Sequence, residues 1–134
     1  MDWLYLIGRL LFGLLFVGSG SGHFGKAKSM SQYAAAKGLP APKVAVVVSG
    51  VMLLAGGLSV ILGVWMEIGV WLIVVFLLMA AVMMHDFWAV SDPGQKQIEQ
   101  AMFMKNIALA GAALVLYWVI QTQGYGPLTL GQPI

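Results

Sequence analysis

An all-α integral membrane protein, a single domain of four transmembrane helices running up-down-up-down as a bundle, is what this sequence predicts, on three grounds. Of its 134 residues, 60% are hydrophobic and only 9% are charged, where soluble domains run at roughly 45–50% and about a quarter. A water-soluble fold of this size has too little interior to hide so much apolar surface, so the excess must face lipid. Four apolar stretches are each long enough, at about 20 residues, to cross a hydrocarbon layer about 30 Å thick, and they are too long and unalternating for barrel strands. The absence of cysteine excludes disulfides, thiolate nucleophiles, iron–sulfur clusters, Cys-ligated zinc and dithiol–quinone exchange. A net charge of +2 from seven basic residues is too sparse to track phosphates, which excludes a nucleic-acid partner.

The first span covers residues 3–24. Its flank, Met1-Asp2, has no Lys or Arg, so it reads as a retained helix and not a cleaved leader. The link that follows holds a short interfacial helix, with Ser29 as cap, Ala34-Ala35-Ala36 as propagating run and Gly38, Pro40 and Pro42 as stop. The second span, 44–65, and the third, 68–90, are joined by Met66-Glu67 and must therefore be antiparallel neighbours. A polar link opens on the turn residues Asp92-Pro93-Gly94. The fourth span covers 102–120, and the tail 121–134, uncharged in its side chains and rich in Gly and Pro, is non-helical. Lys26, Lys28, Lys37, Lys43 and Lys96 gather on the first and third links, against Asp2 and Glu67 opposite. The positive-inside rule then places those links in the cytoplasm and both termini outside.

Ionisable groups inside spans are costly and face the bundle interior or water. At about 100° per residue, Arg9, Gly13, Phe16, Gly20 and His23 fall within roughly 40° of one line. Gly18 and Gly22 form a GxxxG pair on a neighbouring face. Ser49, Met52, Gly56 and Gly63 line the second helix, while the fourth offers Ala108 and Ala112 in line with Lys105, and Ala110 and Ala113 in line with Asn106. By depth, His23, His85, Asp86, Lys105 and Asn106 meet at the cytoplasmic end. Such a set can hold an anionic or carbonyl headgroup, or relay a proton between a quinone and water. The plainer reading is that helix-end residues simply reach water and that Asp86 neutralises Lys105. Haem held by His23 and His85 is disfavoured, and no dense His/carboxylate spacing suggests a metal site. Arg9 is either a packing anchor, reaching Glu67 or backbone carbonyls, or a ligand clamp.

Several of these pieces occur in an order that resembles the DoxX family of small bacterial four-helix membrane proteins. They are Gly8-Arg9 with Gly13, Phe16 and the Gly18–Gly22 run; Tyr33 with Gly38-Leu39-Pro40 and Pro42; Gly50 and Gly56-Gly57; His85-Asp86-Phe87-Trp88; Lys105-Asn106 with Ala108, Leu109 and Gly111; and the tail pattern from Gly124 to Leu130. Three positions depart from the family pattern: Met52 stands where a glutamate is frequent, His23 where a lysine is frequent, and Gly131 where an aspartate is common. The resemblance implies a bacterial cytoplasmic membrane protein tied to oxidoreductase systems that handle quinones and sulfur compounds. Three functions follow, in order of preference. The first is a non-catalytic accessory subunit packing against other membrane subunits, with Gly13, Gly18, Gly22, Gly56, Ala108 and Ala112 as packing residues. The second is a quinone-reactive oxidoreductase subunit using the His23–Asn106 cluster. The third is a carrier of a small lipophilic solute. No cofactor is assured by the sequence, quinone being a candidate, and no catalytic residue is assigned.

Overall fold

The computed structural model describes all 134 residues. It contains α1 (Asp2–Gly25), α2 (Ala27–Ala36), α3 (Pro42–Leu62), α4 (Met66–Met84), a 3-10 turn (Phe87–Ala89) and α5 (Pro93–Gln123), with no strand. Four of the helices are long and apolar enough to cross a membrane. The fold is a four-helix membrane bundle with α2 as a short extra helix in the first link. The two ends of the bundle are called here the lysine-rich end, which carries α2 and the 3-10 turn, and the tail end, which carries Glu67 and residues 124–134.

Each boundary has a local cause. Pro42 starts α3, where a missing N–H costs nothing. Gly63, at φ 69°, ends it in a left-handed cap whose N–H donates to Ser59 O. The second span therefore starts two residues before and ends three residues before the expected 44–65. The third stops at Met84 and not at residue 90, because His85 and Asp86 leave the helix and lead into the 3-10 turn. The largest correction concerns α5. Its 31 residues begin at Pro93, nine before the expected 102, because the Asp92 carboxylate accepts from the Gln95 N–H at 2.9 Å and Pro93 occupies the first turn. At about 1.5 Å per residue, α5 is about 46 Å long, so its polar first turns extend past the hydrocarbon. Ser29 does not cap α2: it lies inside the helix and its hydroxyl donates to Lys26 O.

Packing is set by close backbone approach. A Cβ on Gly13 would lie 2.8 Å from Gly57 O, and one on Gly57 would lie 2.8 Å from Gly13 O. The adjacent Gly56 points the other way, where a Cβ would lie 2.8 Å from Gly69 O on α4. Two neighbouring glycines thus let α3 touch a helix on each side, as small residues do in membrane interfaces. Docking of α5 on α4 uses Ala110, Ala113 and Ile120, all buried. Ala108 and Ala112, on the other expected stripe, are exposed. The reason is register: Ala110 and Ala113 share the face of the buried Glu99 and Asn106, and that face turns inward. Gly18 and Gly22 likewise pack against nothing within the chain, since α1 approaches α3 through Gly13 and Gly20 instead.

Candidate functional site

At the lysine-rich end, α2 crosses the ends of α1, α3 and α4 and leaves a cavity of about 540 Å³ beneath it. Its walls are mostly apolar: Met30, Met52, Met79, Met83 and Met84 supply flexible thioethers, and Phe76 a ring. The polar contribution is small and localised, with His23 and Ser49 on one side and Tyr33 and His85 on another.

His23 is held from below. Its Nδ1 lies 3.1 Å from Val46 O and 2.9 Å from Ser49 Oγ, and the Ser49 hydroxyl donates to Val46 O. A carbonyl oxygen only accepts, so in the neutral ring Nδ1 carries the proton and Nε2 presents a lone pair. No protein atom pairs with Nε2. Gly50 makes this placement possible, because a Cβ there would lie 2.9 Å from the His23 Cβ. The Phe76 ring meets the imidazole edge to face at 5.7 Å between centroids.

His85 is held from the side by Glu99, whose Oε2 lies 2.7 Å from Nδ1. Glu99 is 6% exposed and its other oxygen accepts from Tyr33 OH at 3.3 Å and from Gln95 Nε2 at 3.2 Å. Burial and the adjacent Glu99 carboxylate push the Tyr33 phenol above its ordinary range, so it stays a donor. Both histidines therefore have Nδ1 committed and line the same cavity.

The expected five-residue cluster is only partly assembled. His23 and His85 share the cavity, but Asp86 pairs with Lys37 at 2.5 Å and not with Lys105. Asp86 sits past the end of α4, level with the end of α2, and that hydrogen bond holds the Lys37 ammonium above its usual range. Lys105 is exposed, and Asn106 is buried outside the cavity lining. Glu99, Tyr33 and Lys37 were missing from the sequence-derived set. Glu99 stands seven residues before Asn106, on one helical face, a signal hidden by reading 91–101 as a link. No group of three or more His, Asp or Glu side chains is gathered to hold a metal ion.

A family model for DoxX matches residues 4–86, more than half of the chain. The chain belongs to the DoxX family. The matched segment of this DoxX protein runs from α1 through His85 and Asp86 and so contains both cavity histidines, whereas Glu99 lies beyond it. No curated protein and no solved structure matches the chain.

At the tail end the polar groups are arranged differently. Arg9, 3% exposed, donates from Nη2 to Leu128 O at 2.5 Å. Glu67, the other expected acceptor, is taken by the tail: Oε2 accepts from Tyr125 OH and Oε1 from the Ile134 N–H. Burial, then the Glu67 hydrogen bond, pushes the Tyr125 phenol up to about 12. The Leu130 and Gly131 N–H groups donate to Leu62 O and Gly63 O, laying the tail across the end of α3. Met52 lies level with Gly20, about 16 Å along the axis from Arg9. The position where relatives are expected to carry a glutamate is therefore a cavity position and no partner for Arg9.

Proposed function

We propose that this DoxX protein is a quinone-reactive membrane subunit whose cavity at the lysine-rich end binds the head of a lipophilic ring. One observation carries the reading. A largely apolar cavity of about 540 Å³ offers two histidines whose Nε2 atoms make no protein hydrogen bond. Ligand sites of this size with a few convergent polar groups are the usual form of a lipophilic-cofactor pocket. A helix-packing subunit has no use for an open cavity of that kind.

The residues divide the work. His23, fixed with Nδ1–H on Val46 O, accepts a hydrogen bond or proton at Nε2. His85 does the same on the opposite side, and Glu99 keeps its ring oriented and stabilises the positive charge once a proton is held. Lys37, Asp86 and Tyr33 close α2 over the site. A bound quinone would supply two-electron carrier chemistry, and the protein would supply position and proton exchange toward the lysine-rich face. By the charge asymmetry that face is cytoplasmic.

The accessory-subunit reading keeps one supporting feature: a Cβ on Gly8, Gly18, Gly22 or Gly25 would meet nothing within 4 Å, leaving one side of α1 open to another helix. A single preparation separates the two readings. Wild type, His23→Ala and Gly18→Leu/Gly22→Leu are purified gently from membranes, and quinone is extracted and counted against protein. The expected result is near-stoichiometric quinone in the wild type and the glycine variant, and at least about tenfold less in His23→Ala. Equal, trace quinone in all three, with other subunits lost only from the glycine variant, would replace the quinone reading with the packing one.

A further inference from the structure

The tail end holds a second polar centre that the cavity does not use. Arg9 carries five N–H donors, and its one acceptor is Leu128 O. Its Nε and Nη1 atoms are sealed from solvent without a partner, and so is the hydroxyl of Tyr5. The guanidinium carbon lies 5.1 Å from the centroid of the Tyr5 ring, so the unpaired donors belong to one place. No carboxylate neutralises the charge: the ion pairs of the chain are Lys37–Asp86 and His85–Glu99, and Glu67 is occupied by Tyr125 and Ile134. A buried cation with no counter-charge and a single hydrogen-bond acceptor is a costly arrangement for a fold to keep.

The cover over it is jointed. Leu128 takes a left-handed conformation, φ 56°, uncommon for a side chain of its size, and in that conformation its carbonyl meets Arg9. Gly124 and Gly126, also at positive φ, stand before it, and Gly126 lies flat on the Tyr5 ring, where a Cβ would come within 2.8 Å. Beyond the Arg9 contact the cover is held by two backbone hydrogen bonds at Leu130 and Gly131, by the Glu67 contacts, and by the buried Tyr125, whose hydroxyl accepts from the Met66 N–H at 3.0 Å.

We infer that Arg9 and Tyr5 form an oxyanion site at the tail end, gated by residues 124–134, that takes a phosphate group. The donors are a guanidinium and a phenol, so the ligand must be anionic and rich in acceptor oxygens. Arg9 lies about two turns inside α1, at a depth that a lipid headgroup phosphate or a free phosphate from the adjoining water reaches once the tail lifts. Bound there, the anion satisfies Nε, Nη1 and the Tyr5 hydroxyl, and the tail closes with Leu128 still on Nη2.

The full chain in dodecyl maltoside, a phosphate-free detergent, tests this. Inorganic phosphate is titrated at constant ionic strength, and dihexanoyl-phosphatidylglycerol in a separate series. Melting temperature and hydrogen exchange of residues 124–134 are read together. The expected result is a rise in melting temperature and slower exchange at Leu130 and Gly131 with at least one of them. A response to inorganic phosphate assigns a free anion, and a response to the lipid alone assigns a headgroup. Tyr5→Phe, which keeps the ring and removes only the hydroxyl, should need about tenfold more of the same ligand. Arg9→Gln should not respond. If neither ligand moves the wild type, or if Tyr5→Phe titrates like the wild type, the site does not exist.

Discussion

At the lysine-rich end, Asp86 and Glu99 each hold a basic partner, and the groups stand around an open cavity. At the tail end a guanidinium is buried under backbone, with a main-chain carbonyl as its one acceptor, and the nearby carboxylate is spent on a tyrosine. In the first arrangement the Lys37–Asp86 pair stays close to water, where partly exposed ion pairs contribute little and can rearrange cheaply. The second is shut, so each polar group there has large consequences if its partner is removed. Deleting a partner should therefore cost more at the tail end than at the lysine-rich end, where a ligand pocket needs groups that can rearrange.

Removing residues 125–134 should have the largest effect. It strips the buried Tyr125 from the core and leaves Glu67 without its donors, a loss of about 2–4 kcal/mol once the regained hydration of Arg9 is counted. Unfolding in mixed micelles would show it, and a loss below that of Asp86→Ala would reverse the comparison. Glu99→Gln comes next, at about 1–2 kcal/mol, because the substitution keeps the shape but replaces the charged acceptor of the His85 N–H with a neutral one. If it costs nothing, Glu99 does not orient His85.

Tyr125→Phe should cost about 1 kcal/mol at neutral pH and also change the alkaline behaviour. The phenol titrates near 10 in the unfolded chain and at about 12 in the fold. Its contribution is therefore complete below pH 10 and lost as pH rises from 10 towards 12. Lys37, also raised, acts in the same direction above 10.5, so melting curves of Tyr125→Phe and Lys37→Met separate the two ends. The tyrosine variant should flatten the fall between pH 10 and 12, and an unchanged slope would mean that Tyr125 is hydrated. The smallest effect belongs to Asp86→Ala, about 1 kcal/mol or less and no greater than Asp92→Ala, which removes a helix cap. A larger loss at Asp86 would mean that the Lys37 pair locks α2 in place.

The spans were legible because lipid demands about 20 apolar residues whatever the neighbours do, and α1 was legible down to its inward line, Arg9 through His23. The start of α5 was not. Residues 93–101 are polar on most sides and read as a link, yet Asp92 and Pro93 suffice to begin a helix there, and Glu99 disappeared from view with the error. The partner of Asp86 was also out of reach, since Lys37 lies 49 residues away and meets it only because α2 folds back over α4. The tail was the least readable part. It is placed by main-chain hydrogen bonds to Leu62 and Gly63, and main-chain donors look alike in every sequence.

The bond between Arg9 and Leu128 spans 119 residues, and that distance is also a delay. At about 5–20 residues per second, synthesis delivers the carbonyl roughly 6–24 seconds after the guanidinium. Through that interval the first helix carries Arg9 without the Leu128 carbonyl that accepts from it in the fold. The first helix thus gains its one Arg9 acceptor only after 119 further residues have been made, and a chain stopped before residue 128 would lack it.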